Sequence, residues 1–599
     1  MLAVDGLMRE FMNADELFNR ETEVFVFPAS FAQQRLWFLH RLAPGNPFYN
    51  VSTALRLTGS LNSIALEQTF NEIVRRHEIL RTTFAVVAGE LSQIIASELT
   101  LSLPKIDLQN IPQTQQKTAV KQRAIAESRL PFDLTKGPLL RVKLLLFSAT
   151  EYVLLINFHH IVADGWSIAV LIRELTSLYK AFAKNQLSPL PELPIQYADF
   201  AEWQHQWLQG EVLETQLAYW RQQLTNIQPL NLPVDRPRPP VPTYRGAREF
   251  LALSPTLSDR LNLLSKQQNV TLFVTLLAAF QTLLYRYTGQ ENIALGTPIA
   301  NRNRRELEGL IGFFVNTLVL RTDLSGNPIF LELLNRAKQV TVAAYEYQDL
   351  PFEKLVEALE PDRDLSRNPL FQISFSLQNT PAATLELPEL TWSAIDFDAG
   401  TAKLDLEFNL WEDFAGIKGQ LTYSTDLFDS STIARMLEHF QTLLESIVAN
   451  PNQRLSDLPM LTAASRHQIL VEFNRNLSQN IPRLPPLCQE NESESRNIAL
   501  CFHQLFELQV ERSPDAIALV FENQHLTYRQ LNTKANQIAH YLQQLGVKPE
   551  VLVGICMDRC LDAIAGLLGI LKAGGAYVPL DPNYPQERLN FTVTILKPI

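Results

Sequence analysis

An apolar run, Tyr152-Val153-Leu154-Leu155-Ile156-Asn157-Phe158, ends in two histidines, His159 and His160, and the chain then reads Ile161-Val162-Ala163-Asp164-Gly165. The run has the length and unbroken hydrophobicity of a strand buried on both faces, whereas Ile168, Leu171, Ile172, Leu175 and Leu178 recur at helical spacing. The segment is therefore constrained to strand, loop and helix, with both imidazoles in the loop. Imidazole takes and returns a proton near neutral pH with little tuning. Neighbouring residues leaving a strand point to opposite sides, so His159 is expected to face inward and support the loop while His160 faces outward. Asp164, just before a helix, reads as an N-cap. Gly165 reads as a residue chosen for positive φ or close backbone approach, with a plain turn as the alternative, and its N–H is a candidate oxyanion donor. A metal site built on His159, His160 and Asp164 lacks a further ligand nearby in sequence, so none is expected.

The rest of the chain limits what this loop can serve. At 599 residues it exceeds the roughly 250 to 300 over which one core grows, so several lobes are expected. With 46% hydrophobic and 19% charged residues it reads as globular, and a net charge of -11 disfavours nucleic acid as a partner. Cys488, Cys501, Cys556 and Cys560 suit neither a disulfide framework nor a complete zinc site, which points to reduced thiols and a cytoplasmic location. The first thirty residues lack a signal-peptide layout, and the apolar segments Val270 to Tyr287 and Leu552 to Leu571 are interrupted by polar or charged residues, so no membrane partner is expected.

Along the chain, the pattern predicts a strand over Val51 to Leu57, a helix over Ala65 to Ile79, a hairpin at Ala88-Gly89-Glu90, a helix ending near Arg129, and strands over Leu139 to Phe147 and Tyr152 to Phe158. That is an α/β lobe. Proline-rich passages over Pro189 to Pro194 and Pro229 to Pro242 suit a crossing to a second lobe. There a helix is expected over Val270 to Tyr287, closed by Gly289, with strands over Phe314 to Leu320, Leu370 to Leu377, Leu404 to Leu410 and Ile417 to Tyr423. Residues 476–497 have linker composition.

Further segments join the histidine loop: Ser30-Phe31-Ala32-Gln33-Gln34-Arg35-Leu36-Trp37, Arg76-His77-Glu78, Tyr197-Ala198-Asp199-Phe200, Gly296-Thr297-Pro298-Ile299-Ala300-Asn301-Arg302, Ile311-Gly312-Phe313-Phe314-Val315-Asn316-Thr317 and Ser366-Arg367-Asn368-Pro369-Leu370-Phe371. In this order, over about residues 24 to 460, they resemble the condensation domain of nonribosomal peptide synthetases. The resemblance implies an α/β fold of two chloramphenicol-acetyltransferase-like lobes in a V-shaped pseudodimer. The divisions it implies are an arm or docking segment at 1–23, an N-lobe at 24–195, a C-lobe at 196–460, a linker at 461–499 and an adenylation-domain fragment at 500–599.

It also implies chemistry. The α-amino group of an acceptor aminoacyl thioester would attack a donor acyl or peptidyl thioester. Both substrates would arrive on phosphopantetheine arms of donor and acceptor carrier proteins, within an assembly of other synthetase modules, and this chain would bind no cofactor of its own. His160 is the central candidate, as base or as positioning group; His159, Asp164 and Gly165 complete the candidate catalytic set, and Arg302 is expected to pair with Asp164 across the lobes. Trp37, Trp166, Tyr197 and Trp203 read as packing aromatics. Ala163 stands where the family commonly has serine, and Tyr347 where it commonly has histidine; neither removes a candidate group. Retention of both histidines argues against the heterocyclising branch, and Gly165-Trp166-Ser167 favours condensation over epimerisation. The first motif and Ala43 to Asn50 lean toward L-donor, L-acceptor domains. A noncatalytic carrier-docking remnant and an epimerase are the competing readings.

Residues 526–539 and Leu571 to Pro582 resemble the opening motifs of an adenylation domain, and the pattern fades after Leu589. The expectation from sequence is a truncation or shifted frame, no adenylation activity, and a weakly stable tail in which Leu552 to Leu571 lacks cover.

Overall fold

The computed structural model describes residues 23–596 apart from 361–363, 365, 379–389 and 473–500. The arm expected at the N-terminus and the linker expected over 476–497 lie outside these residues. The chain divides into two compact units, Met1–Asn480 and Ile481–Ile599.

The strands of the first unit are, in chain order, β1 (Val24–Pro28), β2 (Asn50–Gly59), β3 (Thr82–Val87), β4 (Glu90–Ala96), β5 (Lys105–Asp107), β6 (Leu140–Ser148), β7 (Glu151–His159), β8 (Gly246–Ala252), β9 (Asn292–Ile299), β10 (Asn316–Asp323), β11 (Ile373–Gln378), β12 (Leu390–Ala394), β13 (Leu406–Asp413) and β14 (Gly416–Ser424). They form a small sheet β1-β4-β3, a sheet β12-β2-β7-β6-β5 and a larger sheet β10-β9-β11-β13-β14-β8. Strand β7 lies between β2 and β6, antiparallel to both, and is buried from Val153 to His159. Cover on both faces is why its sequence runs apolar without alternation.

The helix Gly165–Phe182 follows a single 3₁₀ turn, and Val170, Leu171, Leu175 and Leu178 bury one stripe of it. In the other half, the helix Leu272–Thr288 is buried continuously from Val274 to Leu284 and ends on Gly289, whose φ of 69° gives the left-handed C-cap glycine accepts without strain. It is a core helix: Phe280 packs against Phe375, Phe408 and Phe440. Among the described residues no single helix is long and apolar enough to cross a membrane.

The two halves interlock. Leu307, Leu310, Ile311 and Phe314, from the later half of the chain, lie in the core of the earlier one, and Tyr197 and Phe200 join them there. Strand β12 returns to pair antiparallel with β2, from Leu390 opposite Gly59 to Ala394 opposite Leu55. The period of two along β13 sends Leu406, Phe408 and Leu410 into the second core, while Glu407 and Asn409 line cavities on the opposite face.

The second unit, described by itself, has the hairpin Ile517–Phe521 with Gln524–Thr527, and the parallel pair Leu552–Cys556 and Ala576–Leu580 joined through the helix Leu561–Ala573. Gly574, at φ 90°, caps that helix, so Gly574-Gly575 is a turn. Ala565, Leu568 and Ile570 of this helix are buried against the helix Tyr528–Gln544 and its surroundings, so part of the apolar stretch expected to lack cover is packed.

Candidate active site

His159 ends β7 and is 2% exposed. Its Nδ1 accepts the Ile161 N–H at 3.2 Å, fixing the turn, and its Nε2 is buried without a partner. Burial, with lesser contributions from the charges of His40 and His160, pushes its pKa down to about 3. It is a neutral interior residue and does not line the cavity described next.

The His160 ring turns the other way. Its Nδ1 lies 2.9 Å from the Ala163 carbonyl. A carbonyl only accepts, so the proton is on Nδ1 and Nε2 carries the lone pair. Among the described residues Nε2 has no hydrogen-bond partner. The ring, with Phe313 edge-on at 4.8 Å, lines a cavity of about 770 Å³ together with Tyr49, Val315, Glu353 and Lys403. Burial, then the charge of Lys403, lowers its pKa to about 4, with Asp164 opposing. His160 is thus neutral throughout the physiological range.

Asp164 is fully buried and does two jobs at once. Its Oδ1 accepts the Ser167 N–H at 2.8 Å and the Ser167 hydroxyl at 2.7 Å, capping the helix. Both oxygens also accept from Arg302 Nη2, at 3.1 and 3.3 Å, and Oδ2 accepts the Phe314 N–H at 3.1 Å. Arg302 Nη1 in turn donates to the Leu307 and Leu310 carbonyls at 2.6 and 2.7 Å, and the guanidinium sits 4.1 Å over the Phe314 ring. The pair spans 138 residues and ties the histidine loop to the segment after β9. With its acceptors spent on this network, Asp164 does not reach the cavity.

Gly165 departs from expectation. Its φ is not in the left-handed region, and an added Cβ would meet no atom within 4 Å. The chain turns one residue earlier, at the extended Asp164 cap with φ -120° and ψ -174°, so the helix opens at Gly165 with ordinary geometry. The close approach occurs instead at Gly312, where a Cβ would lie 2.2 Å from the Tyr197 ring. Tyr197 is buried and donates to the Phe313 carbonyl at 2.7 Å, which sets the backbone beside His160. Trp166 donates to the Glu308 carbonyl at 3.0 Å, and Trp203 stacks on Trp207.

Three residues at the site were not singled out from sequence: Lys403, Glu407 and Asn409. They and Phe48 line both the large cavity and a second one of about 310 Å³. The signal was the alternation from Lys403 through Asn409, which puts 403, 407 and 409 on one side of an extended chain. No group of three His, Cys, Asp or Glu able to hold a metal ion occurs among the described residues.

Two interlocked α/β halves with a histidine loop facing an open cavity define the chloramphenicol-acetyltransferase-like fold of a condensation domain. The family model for the condensation domain matches residues 25–470, and that for AMP-binding enzymes matches residues 506–595. The chain is 47% identical over 567 residues to a linear gramicidin synthase of Brevibacillus parabrevis, covering 94% of this chain and 7% of that protein. It is 45% identical over 569 residues to chondramide synthase of Chondromyces crocatus, covering 94% and 14%. Among solved structures, the X-domain from teicoplanin biosynthesis matches with TM-score 0.67 and 32% identity, over 72% of this chain and 97% of that one. A four-domain nonribosomal peptide synthetase bound to AMP and glycine matches in fold with TM-score 0.72 at 24% identity, over 99% and 44%. The chain belongs to the condensation-domain family of nonribosomal peptide synthetases and continues into the opening part of an adenylation-type domain. It spans a small fraction, 7% to 14%, of the length of these curated relatives.

Proposed function

We propose that residues 25–470 join a donor acyl or peptidyl thioester to the α-amino group of an acceptor aminoacyl thioester, both brought on phosphopantetheine arms of carrier proteins. The observation that carries this reading is the His160 ring: a neutral imidazole with its tautomer fixed by Ala163 and its lone-pair nitrogen unpartnered at the wall of the cavity. A thioester is already activated and an α-amino group of pKa roughly 7.7 to 8.0 is partly unprotonated at neutral pH, so bringing the two together supplies most of the acceleration.

The lowered basicity of His160, from burial and then the charge of Lys403, supports positioning over prior deprotonation. Moving a proton from an amine near 8 to an imidazole at about 4 is uphill by on the order of 5 kcal/mol. His160 therefore accepts a hydrogen bond from the neutral amine and aims its lone pair, and takes a proton only after attack has made the nitrogen acidic. His159, Asp164 and Arg302 act through it, holding the loop.

The test uses the whole chain with separately loaded donor and acceptor carriers. Wild type forms the extended chain on the acceptor carrier, and His160→Ala lowers the single-turnover rate by about 10² to 10⁴. Intact mass and product chirality distinguish condensation from epimerisation. Undiminished product from His160→Ala would refute the role given to that residue, and binding of carriers without any product would favour a docking remnant.

A further inference from the structure

Among the described residues five cations line the larger cavity, and four are ion-paired. Arg35 pairs with Glu353 at 3.3 Å, Lys354 with Glu357 at 2.9 Å, Arg367 with Asp364 at 3.5 Å, and Arg238 with Asp405. Lys403 is the exception: among the described residues its ammonium has no ion pair and no hydrogen bond. Glu407, four residues on, accepts the Lys403 backbone N–H on Oε1 at 2.6 Å and acts on the ammonium only from beyond ion-pair distance. The residue is exposed, so its ammonium is open to whatever enters the cavity. It rests over two aromatic faces, 5.7 Å from the centre of Phe48 and 5.4 Å from that of Tyr49. These rings hold a cation without offering it a counter-charge. Lys403 borders both cavities, and Tyr49 and His160 share the larger one with it.

An ammonium without a contacting anion, beside a neutral imidazole, is suited to an anion that exists only during reaction. Resting on the condensation reading above, we infer that Lys403 is the electrostatic stabiliser of the tetrahedral oxyanion formed when the acceptor amine attacks the donor thioester. The amine lone pair forms the C–N bond and the carbonyl π pair moves onto oxygen, opposite Lys403. The nitrogen's proton passes by way of His160 Nε2 to the departing sulfur. The carbonyl re-forms as the C–S bond breaks, leaving an amide on the acceptor and a free thiol on the donor. No further reactant is required. Once substrates fill the cavity and displace its water, preorganised charge aimed at a developing oxyanion contributes strongly, because it does not reorganise during the step. The same charge adds to burial, the larger cause, in lowering the His160 pKa, so one residue stabilises the intermediate and helps keep its imidazole partner neutral.

The experiment is single-turnover amide formation by the full chain, with acetyl-phenylalanyl-pantetheine as donor and alanyl-, phenylalanyl- and aspartyl-pantetheine as acceptors. Lys403→Met is expected to slow the saturated rate by about 10² to 10³ for all three acceptors with little change in half-saturating concentration, and Lys403→Arg to recover part of it. The apparent pKa of His160, followed by its imidazole NMR resonance, should rise in Lys403→Met, a change that a purely structural role would not produce. A loss confined to the aspartyl acceptor would overturn the inference in favour of side-chain recognition, and so would an unchanged rate. Wild type forming no amide would sink the condensation reading itself.

Discussion

Replacing Arg302 by methionine should destabilise the first unit far more than removing a surface ion pair would. The guanidinium is buried against fully buried Asp164, and the substitution deletes the contacts at 3.1 and 3.3 Å together with the donations to Leu307 and Leu310. Stranding one partner of a buried pair costs roughly 3 to 5 kcal/mol. Asp164 keeps three donors, from the Ser167 N–H, the Ser167 hydroxyl and the Phe314 N–H, which moves the carboxylate's share to the low end. The Leu307 carbonyl keeps the Leu310 N–H at 3.2 Å, so only the Leu310 carbonyl is orphaned, at about 1 kcal/mol, for a total on the order of 4 kcal/mol. Arg302→Met combined with Asp164→Asn removes the stranded charge while keeping an acceptor at the cap, so the double variant should be more stable than Arg302→Met alone. Urea unfolding gives the energies, and hydrogen exchange over residues 302–314 should show local opening in the single variant. If Arg302→Met unfolds within about 0.5 kcal/mol of wild type, or Asp164→Asn adds its cost rather than relieving the loss, the buried pair does not hold the loop as argued.

Two further outcomes are expected. The neutral form of His160 is the working form and its pKa is lowered to about 4, so it is lost only as pH falls through that value; log rate against pH should fall with a slope of one, from protonation of the acceptor amine, between about pH 7 and 5. A slope of two setting in near 6.5 would show an imidazole of ordinary basicity instead. Gly312→Ala puts a methyl 2.2 Å from Tyr197 and 2.7 Å from Phe314. It should cost about 1 to 3 kcal/mol, read as a lowered thermal midpoint with reduced amide formation, and an unaltered midpoint would show the rings yield freely.

The histidine loop was legible because its signals are local: an unbroken apolar run, a period near 3.6, and a capping residue between them. The apolar helix closed by Gly289 and the hairpin at Ala88-Gly89 were legible for the same reason. Strand β9 was not read as a strand, since Gly296 and Pro298 interrupt it. Gly296 is there because the Phe371 ring lies where its Cβ would be, 2.2 Å away, a contact between residues far apart in sequence. The pairing of Asp164 with Arg302 came from the family resemblance; nothing in local spacing links residues 138 apart. Lys403 escaped notice because a lysine before a strand is ordinary until the fold puts its ammonium in a cavity wall with no acid in contact.

Strand β12 has a consequence for anyone dividing this domain. It gives β2 its outer neighbour, so a fragment ending near residue 195 would expose a row of unpaired backbone groups beside Leu55 and Leu57. Such an edge invites another chain to add to it. The earlier half is completed by a strand borrowed from the later one, and a split protein should recover solubility only when both pieces are made together.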